Sequence, residues 1–260
     1  MAGTPCVGFK ALLPRLAGLL ARVALCACDR CQACSGLLPD RRGPHPVCPS
    51  CAVHLAPRLG GYCPWCGELC ADPAAPPLLC PECRRSGRPW DGFAFHGPYE
   101  GLLREMVLGF KFHGRLGQGR LLAGLAADAW LRAASRVGPG AMDPAGPDLV
   151  VPVPLYPRRL AWRGFNQSLE LARELARTLS RPIAPAALAR IRDTTPQSRL
   201  SGRERLGNIQ GAFAAAPEIV SGQAVLLVDD VMTTGATVAT AARALRLGGA
   251  ARVDVLVVAR

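Results

Sequence analysis

Lysine is almost absent from this 260-residue chain: Lys10 and Lys111 stand against 29 arginines. No Gly-x-x-x-x-Gly-Lys-[Ser/Thr] loop exists, which excludes the P-loop nucleotide triphosphatases. Aromatic residues make up only 5%, so an extended base-stacking surface has few residues to draw on. Long apolar runs are missing too. The stretch from Lys10 to Leu25 is interrupted by Pro14, Arg15 and Arg22, too short and too charged for a membrane span. Its Leu12, Leu16, Leu19, Leu20 and Val23 recur at helical spacing, predicting an amphipathic helix within residues 1–25 that packs on the rest. No convincing cleavage site follows, and a cytoplasmic protein is expected.

Half the residues are apolar, enough for a medium domain plus a smaller one and incompatible with a disordered chain. The net charge of +12 calls for an anionic partner, either a phosphorylated small molecule or nucleic acid. Codon composition can explain arginine over lysine, but not where the charge lies. Residues 151–210 hold 11 Arg against four acids, so over half the excess sits in under a quarter of the chain.

Cysteine is abundant, with 12 residues, mostly in Cys-x-x-Cys pairs that favour metal over disulfides. Cys31-Gln-Ala-Cys34, thirteen residues, then Cys48-Pro-Ser-Cys51 is repeated 32 residues later as Cys63-Pro-Trp-Cys66, thirteen residues, then Cys80-Pro-Glu-Cys83. Two such turns bring four thiolates to one tetrahedral Zn²⁺, and metal would supply the folding energy that so small a segment lacks. Pairing within each repeat is the simpler arrangement; interleaved pairing and a first ligand at Cys28 remain alternatives. Cys6, Cys26, Cys28 and Cys70 are read as ordinary thiols, and His45 and His54 as surface histidines. Residues 26–89 form this double unit.

From Trp90 the pattern changes to alternating strands and helices. A strand is expected around Phe93 and Phe95, helices at 101–110, 116–135, 166–179 and 234–247, and strands at 148–155, 225–230 and 253–258, with a Gly/Pro loop from Gly138 to Pro147. Ser201-Gly-Arg-Glu204 has capping-box spacing before another short helix. Nearly continuous apolar strands argue a parallel sheet covered on both faces, an α/β domain over 90–260.

One strand, Val225-Leu-Leu-Val228, runs into Asp229 and Asp230 and then Thr233-Thr-Gly-Ala-Thr237. Ligands of a parallel sheet bind beyond the carboxyl ends of its strands. The turn's backbone N–H groups, the following helix N-terminus and the threonine hydroxyls make a phosphate cradle, while the two carboxylates suit sugar hydroxyls or a Mg²⁺ ion bridging to them. Three readings fit an apolar strand ending in two acids. The Mg²⁺ strand of triphosphatases lacks its loop here. The phospho-acceptor strand of response-regulator receivers needs a downstream lysine, and none follows Lys111. The third is the signature of type I phosphoribosyltransferases.

That signature, with the paired Cys-x-x-Cys units, Gly109-Phe-Lys-Phe-His-Gly114, Val151-Pro-Val-Pro-Leu155, Arg163-Gly-Phe-Asn-Gln167 and Thr195-Pro-Gln-Ser198 in that order, resembles the ComF/GntX family of competence-associated proteins from about Cys31 to Arg260. The resemblance implies a double zinc ribbon followed by a type I phosphoribosyltransferase-like domain that binds phosphoribosyl pyrophosphate with Mg²⁺. It implies that Asp229 and Asp230 hold the ribose hydroxyls and that Thr233, Thr234, Gly235, Ala236 and Thr237 hold the 5′-phosphate. Arg158, Arg159 and Arg163 lie in the expected pyrophosphate loop, and 192–200 takes the place of a mobile loop that closes over substrate. Lys111 and Arg163 are the catalytic candidates; Lys111 is either a needed point charge or a chance surface residue, and His113 is weaker. Nothing spells out an acceptor base. The alternative class is an adaptor of DNA uptake, whose ribbons and basic face contact single-stranded DNA or partner proteins.

Overall fold

A computed structural model gives the fold and describes residues 30–38, 46–112, 114–115, 117–193 and 211–260. The expected N-terminal helix, Cys6, Cys26, Cys28, His45, His113, Thr195 to Ser198 and the Ser201–Glu204 box lie outside these residues.

The two cysteine units share one local design. In each, an isolated antiparallel bridge, Arg30 with Leu37 and Tyr62 with Leu69, closes the first Cys-x-x-Cys turn. The second Cys-x-x-Cys starts a short helix, α1 (Pro49–His54) or α2 (Pro81–Ser86), with proline in its first turn and the preceding cysteine as N-cap. Proline suits that position because its missing N–H would have no helical partner. The cap sulfur accepts from the Cys51 or Cys83 backbone N–H at 3.5 Å, so one residue both ends the loop and presents a thiolate.

Strands β1 (Gly92–Gly97), β2 (Leu149–Pro152), β5 (Ala224–Val231) and β6 (Arg252–Ala259) form a four-stranded sheet in the order β1-β6-β5-β2, every pair parallel. A separate antiparallel ribbon joins β3 (Leu188–Arg190) to β4 (Phe213–Ala215). Helices α3 (Gly101–Phe112), α4 (Gly117–Ala134) and α6 (Gln167–Thr178) share one core with Leu226, Val228, Leu256 and Val258. Helix α8 (Ala236–Leu247) packs with Val225, Leu227, Val253 and Val255 on the other face. Val225 to Val228 are each at most 1% exposed, and burying such side chains contributes about 1.5–3 kcal/mol apiece.

The first cysteine unit packs into the α3–α4 core, the second into the opposite core with Trp90, Phe93 and Phe95. Trp65 and Trp90 lock the second unit reciprocally, each indole N–H donating to the other's carbonyl at 2.9 and 2.8 Å. Gly67, at φ +70°, permits that approach: a Cβ there would meet Phe93 at 2.7 Å.

Two sequence expectations needed correction. The loop expected to carry Arg158, Arg159 and Arg163 is helix α5 (Pro157–Arg163), closed by Gly164 in the left-handed conformation. The strand expected over 148–155 is assigned only over β2: Val153 makes one further bond to β5, its N–H donating to the Val228 carbonyl at 2.9 Å, and Pro154 has no N–H to extend it. The remaining short helix, α7 (Pro217–Val220), leads into β5.

Candidate phosphosugar site and cysteine quartets

The carboxyl end of β5 lies beside the segment that follows β2, with α6 starting alongside. Asn166 sets that start: its Oδ1 caps α6 by accepting from the Ser168 N–H at 3.1 Å, and its Nδ2 donates to the Val153 carbonyl beyond β2 at 3.1 Å. Ser168, thus placed, donates its hydroxyl to Asp229 Oδ1 at 2.8 Å. Lys111, near the end of α3, reaches Asp230 Oδ2 at 2.9 Å. That contact is an ion pair without hydrogen-bond alignment, and Oδ2 is buried with no hydrogen-bond partner.

The charges are strongly coupled to burial. Burial pushes the Asp229 carboxyl up and the Asp230 charge adds to it, outweighing Ser168 and Lys111, to about 7. For Lys111 burial acts downward, but Asp230 and Asp229 overcome it and hold the ammonium above its usual range. Of the two readings of Lys111, the chance surface residue is therefore excluded: its side chain is 17% exposed and is paired with an acid 4% exposed. Removing one member of a buried pair costs about 3–5 kcal/mol. Taking the low end because Lys111 keeps some solvent contact, Lys111→Met should lower the melting temperature at pH 8 by about 6–12 °C. Scanning calorimetry of the two proteins at pH 8 checks this.

Arginines line the other side. Arg163 lies 4.9 Å over the Phe112 ring and donates to Gln167 Oε1 at 2.6 Å. Burial draws its guanidinium pKa down, against the pull of Asp230. Arg159 repels both Arg163 and Arg190, and Arg190 also feels Asp229. Arg158 points outward, 86% exposed, 3.9 Å from Asp193. The structure thus brings Lys111, Arg163 and Arg190 to the acid pair, sets Arg159 near Arg163 and Arg190, and leaves Arg158 at the rim.

Beyond the acids, Thr233 and Thr234 are exposed and Gly235 adopts φ +77° as the N-cap of α8. Gly235 offers no side chain to cap the first-turn N–H groups, and Thr234 Oγ1 approaches Ala236 N at 3.4 Å. Ala236 is buried and Thr237 half-buried in the first turn. Acids and helix N-terminus therefore stand six residues apart on one strand-turn-helix, a geometry that suits an anion joined to a polyol.

Two residues of this site escaped the sequence reading. Ser168 follows directly on the Arg163-Gly-Phe-Asn-Gln167 motif, and an Asn N-cap signal would have placed it in the first helical turn. Arg190 ends a three-residue strand, too short for alternation to reveal.

The quartets Cys31, Cys34, Cys48, Cys51 and Cys63, Cys66, Cys80, Cys83 each gather their four sulfurs within 4.8 Å, and each could hold a metal ion. Pairing is within each repeat, not interleaved. Cys34 and Cys48 sulfurs are 3.9 Å apart and Cys66 and Cys80 sulfurs 3.7 Å, matching the edge of about 3.8 Å that a tetrahedron of 2.3 Å Zn–S bonds requires. One thiol in each quartet is held low while others are held high: burial and then the Cys48 thiol raise Cys51, the Cys63 sulfur and then burial raise Cys66, and burial raises Cys83 to about 11, so an entering metal would displace those protons. Burial opposes the Cys31 thiolate, but the N–H groups of Cys34, Cys48 and Ala33 bring its pKa down to about 6. The Cys66 thiol, despite burial, helps bring Cys63 down to about 4. Arg88 Nε also donates to Cys83 Sγ at 3.1 Å. Exposed Cys70 and His54 stand outside both quartets.

Comparison with known proteins agrees with this arrangement. The phosphoribosyl transferase domain family matches residues 166–260. The DNA utilization protein YhgH of Salmonella typhimurium is 36% identical over 209 residues, covering 80% of this chain and 88% of that protein. Competence protein F of Haemophilus influenzae is 30% identical over 233 residues, 89% of this chain and 96% of its own length. Competence protein ComFC of Bacillus subtilis is 30% identical over 215 residues, 80% of each chain. With a phosphoribosyl transferase domain at its carboxyl end and two cysteine quartets ahead of it, the chain belongs to this ComF family of competence and DNA-utilization proteins.

Proposed function

We propose that the chain binds phosphoribosyl pyrophosphate, or a related phosphosugar, together with Mg²⁺, carries Zn²⁺ in each quartet, and serves DNA uptake or utilization in the cytoplasm. The observation that carries this reading is the pair Asp229 and Asp230, fixed by Ser168 and Lys111 and followed within six residues by the Gly235 turn that opens α8. The ribose hydroxyls would meet the carboxylates and the 5′-phosphate the first-turn N–H groups. The pyrophosphate would face Arg159 and Arg163, whose N–H donors match its oxygens. Mg²⁺ suits the oxygen-only chemistry of the two acids, and when bound it would neutralise the diphosphate. Transfer from such a ligand would rest on positioning and charge stabilisation, with residues 90–260 as the phosphoribosyltransferase-like domain and 26–89 as the ribbons. Calorimetry with phosphoribosyl pyrophosphate, with and without Mg²⁺, tests the reading.

A second reading, single-stranded DNA on the same face, draws on the relatives' names and on one feature: Trp162 is 75% exposed on α5 beside Arg158, Arg159 and Arg163. An exposed indole among guanidinium groups is a stacking platform for bases. If these three arginines meet phosphates, log affinity should fall against log salt with a slope of about −2. Trp162→Ala should weaken binding at least about fivefold, given stacking of about 1–3 kcal/mol per base. Fluorescence anisotropy with an oligonucleotide measures both, and absent binding at low salt would remove this reading.

A further inference from the structure

Away from the β5 site, a cavity of about 340 Å³ lies where the second cysteine unit meets β1 and the last turns of α4. Arg58 and Tyr62 line it from the cysteine unit, Arg132, Ser135 and Arg136 from α4 and the residues just after it, and Phe95 from β1, with no Asp or Glu in the lining. Three guanidinium groups with no facing carboxylate make an electropositive hole. Their hydrogen bonds separate them. Arg58 is committed to the Gly60, Gly61 and Cys70 carbonyls at 2.6, 3.0 and 3.3 Å. Arg136 donates to the Tyr62 hydroxyl at 3.1 Å and to the Phe93 and Gly140 carbonyls at 2.7 and 3.2 Å, but its Nε is buried without a partner. The Arg132 guanidinium makes no hydrogen bond or ion pair with any described residue, and its Nη2 is buried. It does not cap the carbonyls ending α4, which would be the ordinary structural use of a cation there.

A buried donor without an acceptor is the mark of a missing water or ion, and here two such donors share one acid-free cavity. We propose that this cavity is a second anion site, separate from the β5 site, that takes a phosphate-class oxyanion through Arg132 and Arg136 with the Tyr62 hydroxyl. Burial lowers the Arg132 pKa, with Asp128 only partly compensating, as expected of a cation lacking its counter-charge. Because Tyr62 and Arg58 belong to the cysteine unit and Arg132 and Arg136 to the α4 region, a bound oxyanion would tie the two together. Sites that bind only the folded state raise stability by mass action.

The test uses the full-length, metal-loaded protein with inorganic phosphate as probe, in buffer otherwise free of oxyanions. Phosphate should raise the wild-type melting temperature and bind saturably by calorimetry, and Arg132→Gln should lose at least tenfold of that affinity while Arg132→Lys keeps part of it. Before phosphate is added, Arg132→Gln should melt no lower than the wild type, because the lost guanidinium has no partner; a merely structural arginine would give a clear drop. Affinity for phosphoribosyl pyrophosphate should be the same in both, which separates this cavity from the β5 site. A nucleoside 5′-monophosphate identifies the source of the oxyanion: an Arg132-dependent gain over phosphate assigns a phosphomonoester, equal affinity assigns free phosphate. No phosphate binding, or equal affinity in wild type and Arg132→Gln, overturns the proposal and leaves these donors to water.

Discussion

Converting both Asp229 and Asp230 to Asn is expected to lower Mg²⁺-dependent affinity for phosphoribosyl pyrophosphate by at least about 100-fold. Hydrogen bonds to charged groups are each worth about 1.5–3 kcal/mol, so two lost carboxylates remove about 3–6 kcal/mol. Asn keeps the shape of each acid, and the loss therefore reports charge and acceptor capacity rather than a cavity. Stability should move the other way at position 229. Burial, with the Asp230 charge, raises the Asp229 carboxyl to about 7 in the folded protein, against about 3.9 when unfolded. Its contribution is thus full below about pH 4 and lost as pH rises through about 7. Asp229→Asn alone should melt above the wild type at pH 8 and close to it at pH 4. An acid that weakens the fold at working pH serves something other than the fold. Unchanged ligand affinity in the double variant would contradict that assignment.

Stripping metal from the cysteine quartets should have an effect as large, on structure. Freshly purified protein is expected to contain about two zinc ions per chain, one for each set of four thiolates. Structural zinc in small peptides is worth about 10–16 kcal/mol, and neither unit buries enough apolar surface to replace it. A strong chelator should therefore unfold the second unit cooperatively. Trp65 and Trp90, now bonded to each other's carbonyls, should shift their fluorescence to the red. Cys66→Ser, at a buried sulfur of the second quartet, should lose one zinc and give the same shift without chelator. The parallel sheet should retain most of its far-ultraviolet dichroism, its β5–β6 centre being independent of the sulfurs. Metal near zero in unchelated, folded protein would overturn the ribbon assignment.

Sequence alone revealed the features that local chemistry determines. The quartets were legible because one spacing occurs twice at a fixed offset, and the β5 turn because an apolar strand, two acids and a Thr-Thr-Gly run are contiguous. Features made by distance in the chain were not. Lys111 stood out only as a rare residue; its partner Asp230 is far along the sequence, and no local pattern joins them. Helix α5 was read as a loop because proline at a first helical position and proline in a turn look alike from sequence. The β3–β4 ribbon uses three-residue strands, below the length at which alternation is informative. The unpaired guanidinium of Arg132 is invisible in any sequence: Asp128, one helical turn earlier, attracts it without forming an ion pair, and only the folded side-chain geometry decides that.

The most direct measurement is calorimetry of phosphoribosyl pyrophosphate added to the zinc-loaded, full-length protein at pH 8, with Mg²⁺ and then without. The proposed site, with the acid pair beside the Gly235 turn, predicts saturable one-to-one binding that requires Mg²⁺ and is lost in the Asp229→Asn, Asp230→Asn variant. No heat of binding from folded, metal-loaded protein, or binding indifferent to both Mg²⁺ and the two acids, would contradict it.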